Sequence, residues 1–169
     1  MDQRRFAEVR QSMFVDAPPE NVRRQFADLD HHIRTNVHPK LTFKVLAQSE
    51  FQARYIQEVT LLGLRQRDVF ERHILPDGSI HDKSVDGFNK GGELRVEFAP
   101  ERTGTRVQIL VRLPLPPVIG RLVRPLLEKQ IRREVVAAFA EDKYDLEVRG
   151  YPGRSSARAD SELTNDEAG

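Results

Sequence analysis

The chain has 169 residues, of which 38% are hydrophobic and 31% charged; 27 Lys and Arg against 26 Asp and Glu leave a formal net charge of +1. That length suits one domain, and the near-neutral balance argues against a dedicated nucleic-acid binder, which carries a strong basic excess. The absence of cysteine excludes disulfides, thiolate zinc sites, Cys-ligated iron–sulfur clusters and Cys nucleophiles together, and no apolar run approaches the roughly 20 residues of a membrane-spanning helix.

Met1-Asp2-Gln3-Arg4-Arg5 leads into mixed polar residues rather than the apolar run of a secretory signal, so a cytoplasmic protein is expected. A first strand is read over Val9–Val15. Asp16-Ala17-Pro18-Pro19-Glu20 then opens a helix, with Pro at or near its first position, and Val22, Phe26 and Leu29 fall at helical spacing up to about Asp30. A second short helix or loop holds His31–Asn36 and is broken at Pro39. From Leu41 the period becomes two: Leu41, Phe43, Val45 and Ala47 alternate with polar residues, as in a half-buried strand. Strands over Arg54–Leu62 and Leu64–Leu75 meet at Gly63, and Pro76-Asp77-Gly78-Ser79 closes a hairpin into Ile80–Phe88. Leu94, Val96 and Phe98 and then Val107, Ile109, Val111 and Leu113 complete six strands in series, with turns too short for parallel returns. Ile119, Leu122, Leu126, Ile131, Val135, Phe139 and Leu146 carry a helical rhythm to Gly150, with Pro125 either kinking the helix or starting it afresh. Residues 1–150 are expected to form one domain. Residues 151–169, with Leu163 the only large apolar residue after Tyr151, are expected to be a disordered tail.

Strand, two short helices, six antiparallel strands and a long amphipathic helix make an α+β protein, a seven-stranded sheet curled around its last helix. This order, with Met13-Phe14-Val15-Asp16-Ala17-Pro18-Pro19-Glu20-Asn21-Val22 at the first strand and helix entry, resembles the START-like helix-grip superfamily (SRPBCC), and within it the polyketide cyclase/dehydrase branch. The likeness covers about Phe6–Glu147. It implies a cavity between sheet and long helix for an apolar small molecule such as a lipid, isoprenoid or polyaromatic compound. The superfamily holds carriers, cyclases, co-chaperones and oxygenase domains, so the fold does not choose an activity. Phe43, Val45, Phe70, Ile74, Val96, Phe98, Ile109 and Val111 supply apolar inward positions that either line such a cavity or fill it.

Polar residues share the parity of those inward positions. Gln66, Asp68 and Arg72 fall with Leu64, Phe70 and Ile74, while Asp82, Ser84 and Asp86 fall with Ile80 and Phe88. A hairpin closed between Leu75 and Ser79 sets Arg72 opposite Asp82 and Asp68 opposite Asp86. Buried charge is costly unless paired, so these groups pair with one another, reach a ligand or sit at a wet mouth. Asp68, Phe70, Arg72, Asp82, Ser84, Phe98, His38 and Tyr55 are therefore the ligand-cavity candidates, and Asp68, Glu58, Tyr55 and His38 the available acids and bases. No Ser–His–Asp spacing, P-loop or dinucleotide fingerprint is present. Asp28 and His31 resemble the start of the Asp-x2-His-x4-His motif of Rieske-type oxygenases, but Asn36 stands where the second His belongs; neither a metal nor another cofactor is expected.

The stretch 112–134 combines Arg112, Arg121, Arg124, Lys129, Arg132 and Arg133 with the apolar Leu113-Pro114-Leu115-Pro116-Pro117-Val118-Ile119. Such a segment can touch an anionic membrane surface, or its leucines cap the core and its arginines are solvated. Three functions follow as expectations. The first is a non-catalytic binder or carrier of an apolar molecule, the second a polyketide aromatase/cyclase-like enzyme using Asp68, Arg72 and Asp82, and the third an accessory module serving a protein partner such as an oxygenase.

Overall fold

The computed structural model describes residues 6–61 and 63–153. Its elements run β1 (Phe6–Val15), α1 (Pro19–Ala27), α2 (Leu29–Thr35), β2 (Leu41–Gln48), β3 (Gln52–Leu61), β4 (Leu64–Ile74), β5 (Ile80–Gly87), β6 (Glu93–Glu101), β7 (Gly104–Pro114) and α3 (Gly120–Tyr144). A π-helical turn, Asp145–Arg149, extends α3 until Gly150 turns left-handed at φ 72°. The expected order is therefore met. The helix also runs through Pro125 without restarting, because the proline lies in its second turn and leaves only the Arg121 carbonyl without an intrahelical donor.

One antiparallel sheet holds all seven strands in the order β1-β7-β6-β5-β4-β3-β2. β1 and β2 are the two edges, and the α1–α2 segment crosses between them. Pro19 opens α1. The Asp28 carboxylate then caps α2 by accepting the His31 N–H at 2.8 Å, and Asn36 ends α2 in the left-handed region. Helix α3 packs most extensively along β1.

Apolar side chains beneath α3 gather in three clusters. One joins Val15, Val22, Phe26, Ile80, Val107, Phe139 and Leu146. Another joins Ala7, Val9, Leu61 and Ile131. The third joins Leu29, Ala53, Tyr55 and Phe70.

Three expectations are corrected. Arg72 does face Asp82, but Asp68 faces Gly87 rather than Asp86, because β5 carries one extra residue between Val69/Asp86 and Phe70/Ser84. That bulge reverses the parity beyond it, so Asp86 and Phe88 are exposed instead of inward. Leu64, grouped with the inward residues, lies exposed beside the β3–β4 turn. Tyr151, assigned to the tail, is buried in the first cluster and donates its hydroxyl to Asp28 Oδ2 at 2.9 Å, so the ordered chain passes residue 150. Residues 154–169 of the expected tail lie outside the described residues.

Candidate functional site

Between the three apolar clusters lies a cavity of about 240 Å³, below the roughly 300–1,000 Å³ of small-molecule sites. Its sheet wall includes Phe43, Tyr55, Phe70, Val96, Ile109 and Val111, and its roof includes Ile131, Val135, Ala138 and Phe139 of α3. Exposed Lys40 also borders it, so the space reaches solvent between β2 and α3, where Lys40 Nζ stands 3.6 Å from Glu134 Oε2.

Five of the eight candidates border this space: His38, Tyr55, Asp68, Phe70 and Arg72. The other three sit behind the wall. Phe98 stacks edge-on against Phe26 at 5.4 Å. Asp82 is fully buried and grips Arg72 by both oxygens, at 2.8 Å to Nε and 2.8 Å to Nη2. Ser84 turns its hydroxyl to Asp68 Oδ1 at 3.3 Å. Glu58 pairs with Arg65 and Arg67 at the sheet surface.

The polar groups in the wall are largely engaged. Arg72 also donates from Nη1 to the Phe26 carbonyl at 3.1 Å, tying the end of α1 to the sheet, and its guanidinium lies 5.3 Å from the Tyr55 ring centre. Burial lowers the Arg72 pKa, yet the Asp82 carboxylate more than reverses this, so the guanidinium stays charged. Burial first, and then the charge of Asp82, push the Tyr55 phenol well above its usual range, so it remains protonated. Asp68 accepts the Asn89 backbone N–H at 2.6 Å and the Asn89 side-chain amide at 2.7 Å, and that amide also reaches Gln66 at 2.9 Å. These bonds clasp the β5–β6 turn against β4. The close approach also needs Gly87: at φ 109°, a Cβ there would meet the Arg67 carbonyl oxygen at 2.2 Å.

A polar network absent from the sequence expectation closes one end of the cavity. His32, His38 and Asp142 all border the space and are all buried. The two imidazole rings stack at 5.2 Å, and each places Nε2 3.3 Å from Asp142 Oδ1. Gln25, fully buried, donates to Asp142 Oδ1 at 3.1 Å and to Asp145 Oδ2 at 3.2 Å. Burial alone would raise the Asp142 carboxyl, but hydrogen bonds from His32 and His38 hold it well below the usual carboxylate range. Burial likewise lowers His38, and the hydrogen bonds and charges of Asp142 and Glu141 overcome it, pushing it up to about 9. The Asp28 and His31 side chains supply none of the groups that converge on Asp142: the Asp28 carboxylate caps α2 and holds Tyr151, while His31 Nε2 sits 2.7 Å from Asp145 Oδ2. The available sequence signal was Asp142 itself, an acid at helical spacing between the inward Phe139 and Leu146.

At the sheet end that holds the β3–β4 and β5–β6 turns, Val118 is 93% exposed and Leu122 83% exposed. Arg121 is exposed beside them. No described helix is long and apolar enough to cross a membrane.

No protein-family model matches the chain, and no curated protein sequence does. Solved structures do. Protein TTHA0849 of Thermus thermophilus is similar at a TM-score of 0.72 and 24% identity, covering 80% of this chain and 94% of that one. A START superfamily protein from Mycobacterium smegmatis is similar at 0.67 and 18% identity, covering 82% and 98%. The ZhuI aromatase/cyclase from Streptomyces sp. R1128 is similar at 0.67 and 14% identity, covering 86% and 98%. With the seven-stranded antiparallel sheet, the two short helices after β1 and the long terminal helix, these likenesses establish that the chain has the START-like helix-grip fold.

Proposed function

We propose that the protein binds an apolar small molecule, of the lipid, isoprenoid or polyaromatic class, in the space between the sheet and α3 and carries it without converting it. The observation behind this reading is that the inward apolar residues form three clusters around a cavity instead of merging into one filled core. Apolar walls favour a guest by roughly 25 cal/mol per Å² of surface removed from water. Arg72 and Asp68, two of the charged groups in the cavity wall, hold other protein groups and leave the apolar wall around them to select by shape. Native mass spectrometry of protein purified from cell extract, with displacement of a fluorescent apolar probe, tests this. The expected result is one guest per chain, and a probe affinity that falls at least tenfold in Ala138→Phe, which fills the space from the roof. A protein that takes up no apolar probe ends the proposal.

The second reading is an aromatase/cyclase-like enzyme. Buried Gln66, Asp68 and Asn89 at the cavity wall favour it, since such groups can orient a reactive chain and move its protons. Turnover of a poly-β-ketone chain that disappears in Asp68→Asn would select this reading over the carrier. We further propose that guests are exchanged at an anionic membrane surface touched by Val118, Leu122 and Arg121. Charge attraction and apolar insertion act together there.

A further inference from the structure

His32 on α2, His38 in the turn before β2, and Asp142 on α3 each offer one ligand atom, and these atoms lie within 4.8 Å of one another. Two edges of that triangle, from each Nε2 to Asp142 Oδ1, measure 3.3 Å. Metal–donor bonds of about 2.0–2.1 Å in a tetrahedral array separate neighbouring donors by about 3.3 Å, so the spacing suits an ion at the centre.

The second nitrogen of each ring is also committed. His32 Nδ1 lies 2.7 Å from the Asp28 carbonyl oxygen, which can only accept, so that nitrogen carries the proton. His38 Nδ1 lies 2.8 Å from Glu141 Oε2 and donates to it. Outer partners of this kind fix the tautomer of metal-binding imidazoles and leave Nε2 as the donor atom. With Nδ1 committed in both rings, the two Nε2 atoms converge on Asp142 Oδ1 in a buried space, where the protons they share with that carboxylate can be displaced by a cation. Gln25 holds Asp142 from behind.

We propose that His32, His38 and Asp142 bind one divalent first-row transition-metal ion, with a remaining coordination position facing the cavity. A set of two nitrogens and one oxygen favours zinc or ferrous-type ions over calcium and magnesium, which prefer all-oxygen shells. The open position can take water or an oxygen of a guest. Binding of the ion itself does not depend on the guest proposed above.

The test is titration of chelator-treated full-length protein with Zn²⁺ by calorimetry, and with Co²⁺ by visible absorption, which reports coordination number. One ion per chain is expected, with a Kd at or below about 1 µM. His32→Ala, His38→Ala and Asp142→Asn should each weaken binding by at least about 100-fold. Glu141→Gln, which touches only the outer nitrogen of His38, should weaken it by roughly 10-fold. His73→Ala, removing an exposed histidine of β4, should leave it unchanged. Circular dichroism confirms that each variant is folded; should Asp142→Asn unfold, Glu141→Gln and His38→Ala still decide. The proposal is overturned by wild-type protein that takes up no stoichiometric metal, by uptake that survives His38→Ala, or by uptake that depends on His73.

Discussion

Asp82→Ala removes both oxygens that hold Arg72, while Arg72 is itself only 8% exposed. The guanidinium then keeps one acceptor, the Phe26 carbonyl, and four of its five N–H donors lose partners or stay without them. Breaking one side of a buried pair costs about 3–5 kcal/mol, which for a domain near 150 residues lowers Tm by roughly 6–20 °C. Arg72→Met strands the Asp82 carboxylate, which is 0% exposed, and should cost a similar amount. The double variant Arg72→Met/Asp82→Ala removes both charges and strands neither, so it should cost less than either single change, giving a coupling of at least about 3 kcal/mol. Urea unfolding followed by circular dichroism suits a chain without tryptophan and yields all four corners of the cycle. An Asp82→Ala cost below about 1 kcal/mol would refute the reasoning. It would mean that water reaches the guanidinium, and Arg72 would then be available to orient the polar end of a guest instead of anchoring α1.

In chelator-treated protein, His38, pushed up to about 9 in the fold from an ordinary 6.5, contributes stability that is complete below about pH 6.5 and lost as pH rises through 9. The lowered Asp142 contributes stability present above about pH 4 and lost on acidification, so urea midpoints should peak between those limits, and His38→Ala should flatten the alkaline side. Gly87→Ala places a methyl group 2.2 Å from the Arg67 carbonyl oxygen at positive φ, and should cost at least about 2 kcal/mol in the same unfolding assay while loosening the Asp68–Asn89 clasp. Leu122→Asp changes an exposed side chain, so stability should stay within about 0.5 kcal/mol, whereas co-sedimentation with vesicles rich in phosphatidylserine should fall several-fold. Unchanged sedimentation would remove the membrane-exchange proposal.

Strand and helix periodicity carried the fold because each element buries one face, and a buried face leaves its period in the chain. The same parity argument placed Arg72 against Asp82 correctly. It failed four residues further along β5, because a single inserted residue there reverses the facing of Asp86 and Phe88, and a bulge has no period of its own. The histidine–aspartate cluster was illegible for another reason. Its carboxylate lies more than a hundred positions from either imidazole, and only the docking of α3 onto α2 and the turn before β2 joins them. Local spacing suggested His31; helical phase after Leu29 turns His32 inward instead. Tyr151 was assigned to the tail because its neighbours are polar, although one aromatic ring with a carboxylate partner was enough to fix that point of the chain.

The open order of the sheet bears on how quickly a guest can come and go. β1 and β2 share no ladder, so parting the molecule between β2 and α3 breaks no inter-strand backbone hydrogen bond. What bars the doorway there is side-chain packing, the solvent-facing pair Lys40–Glu134, a contact of the kind worth about 0–1 kcal/mol, and the buried bonds from His38 to Glu141 and Asp142. In the carrier proposed above, admission would be governed by rotamer changes and a small swing of one rod, and the residence time of the cargo would be set by its grip on the walls rather than by unpairing of strands.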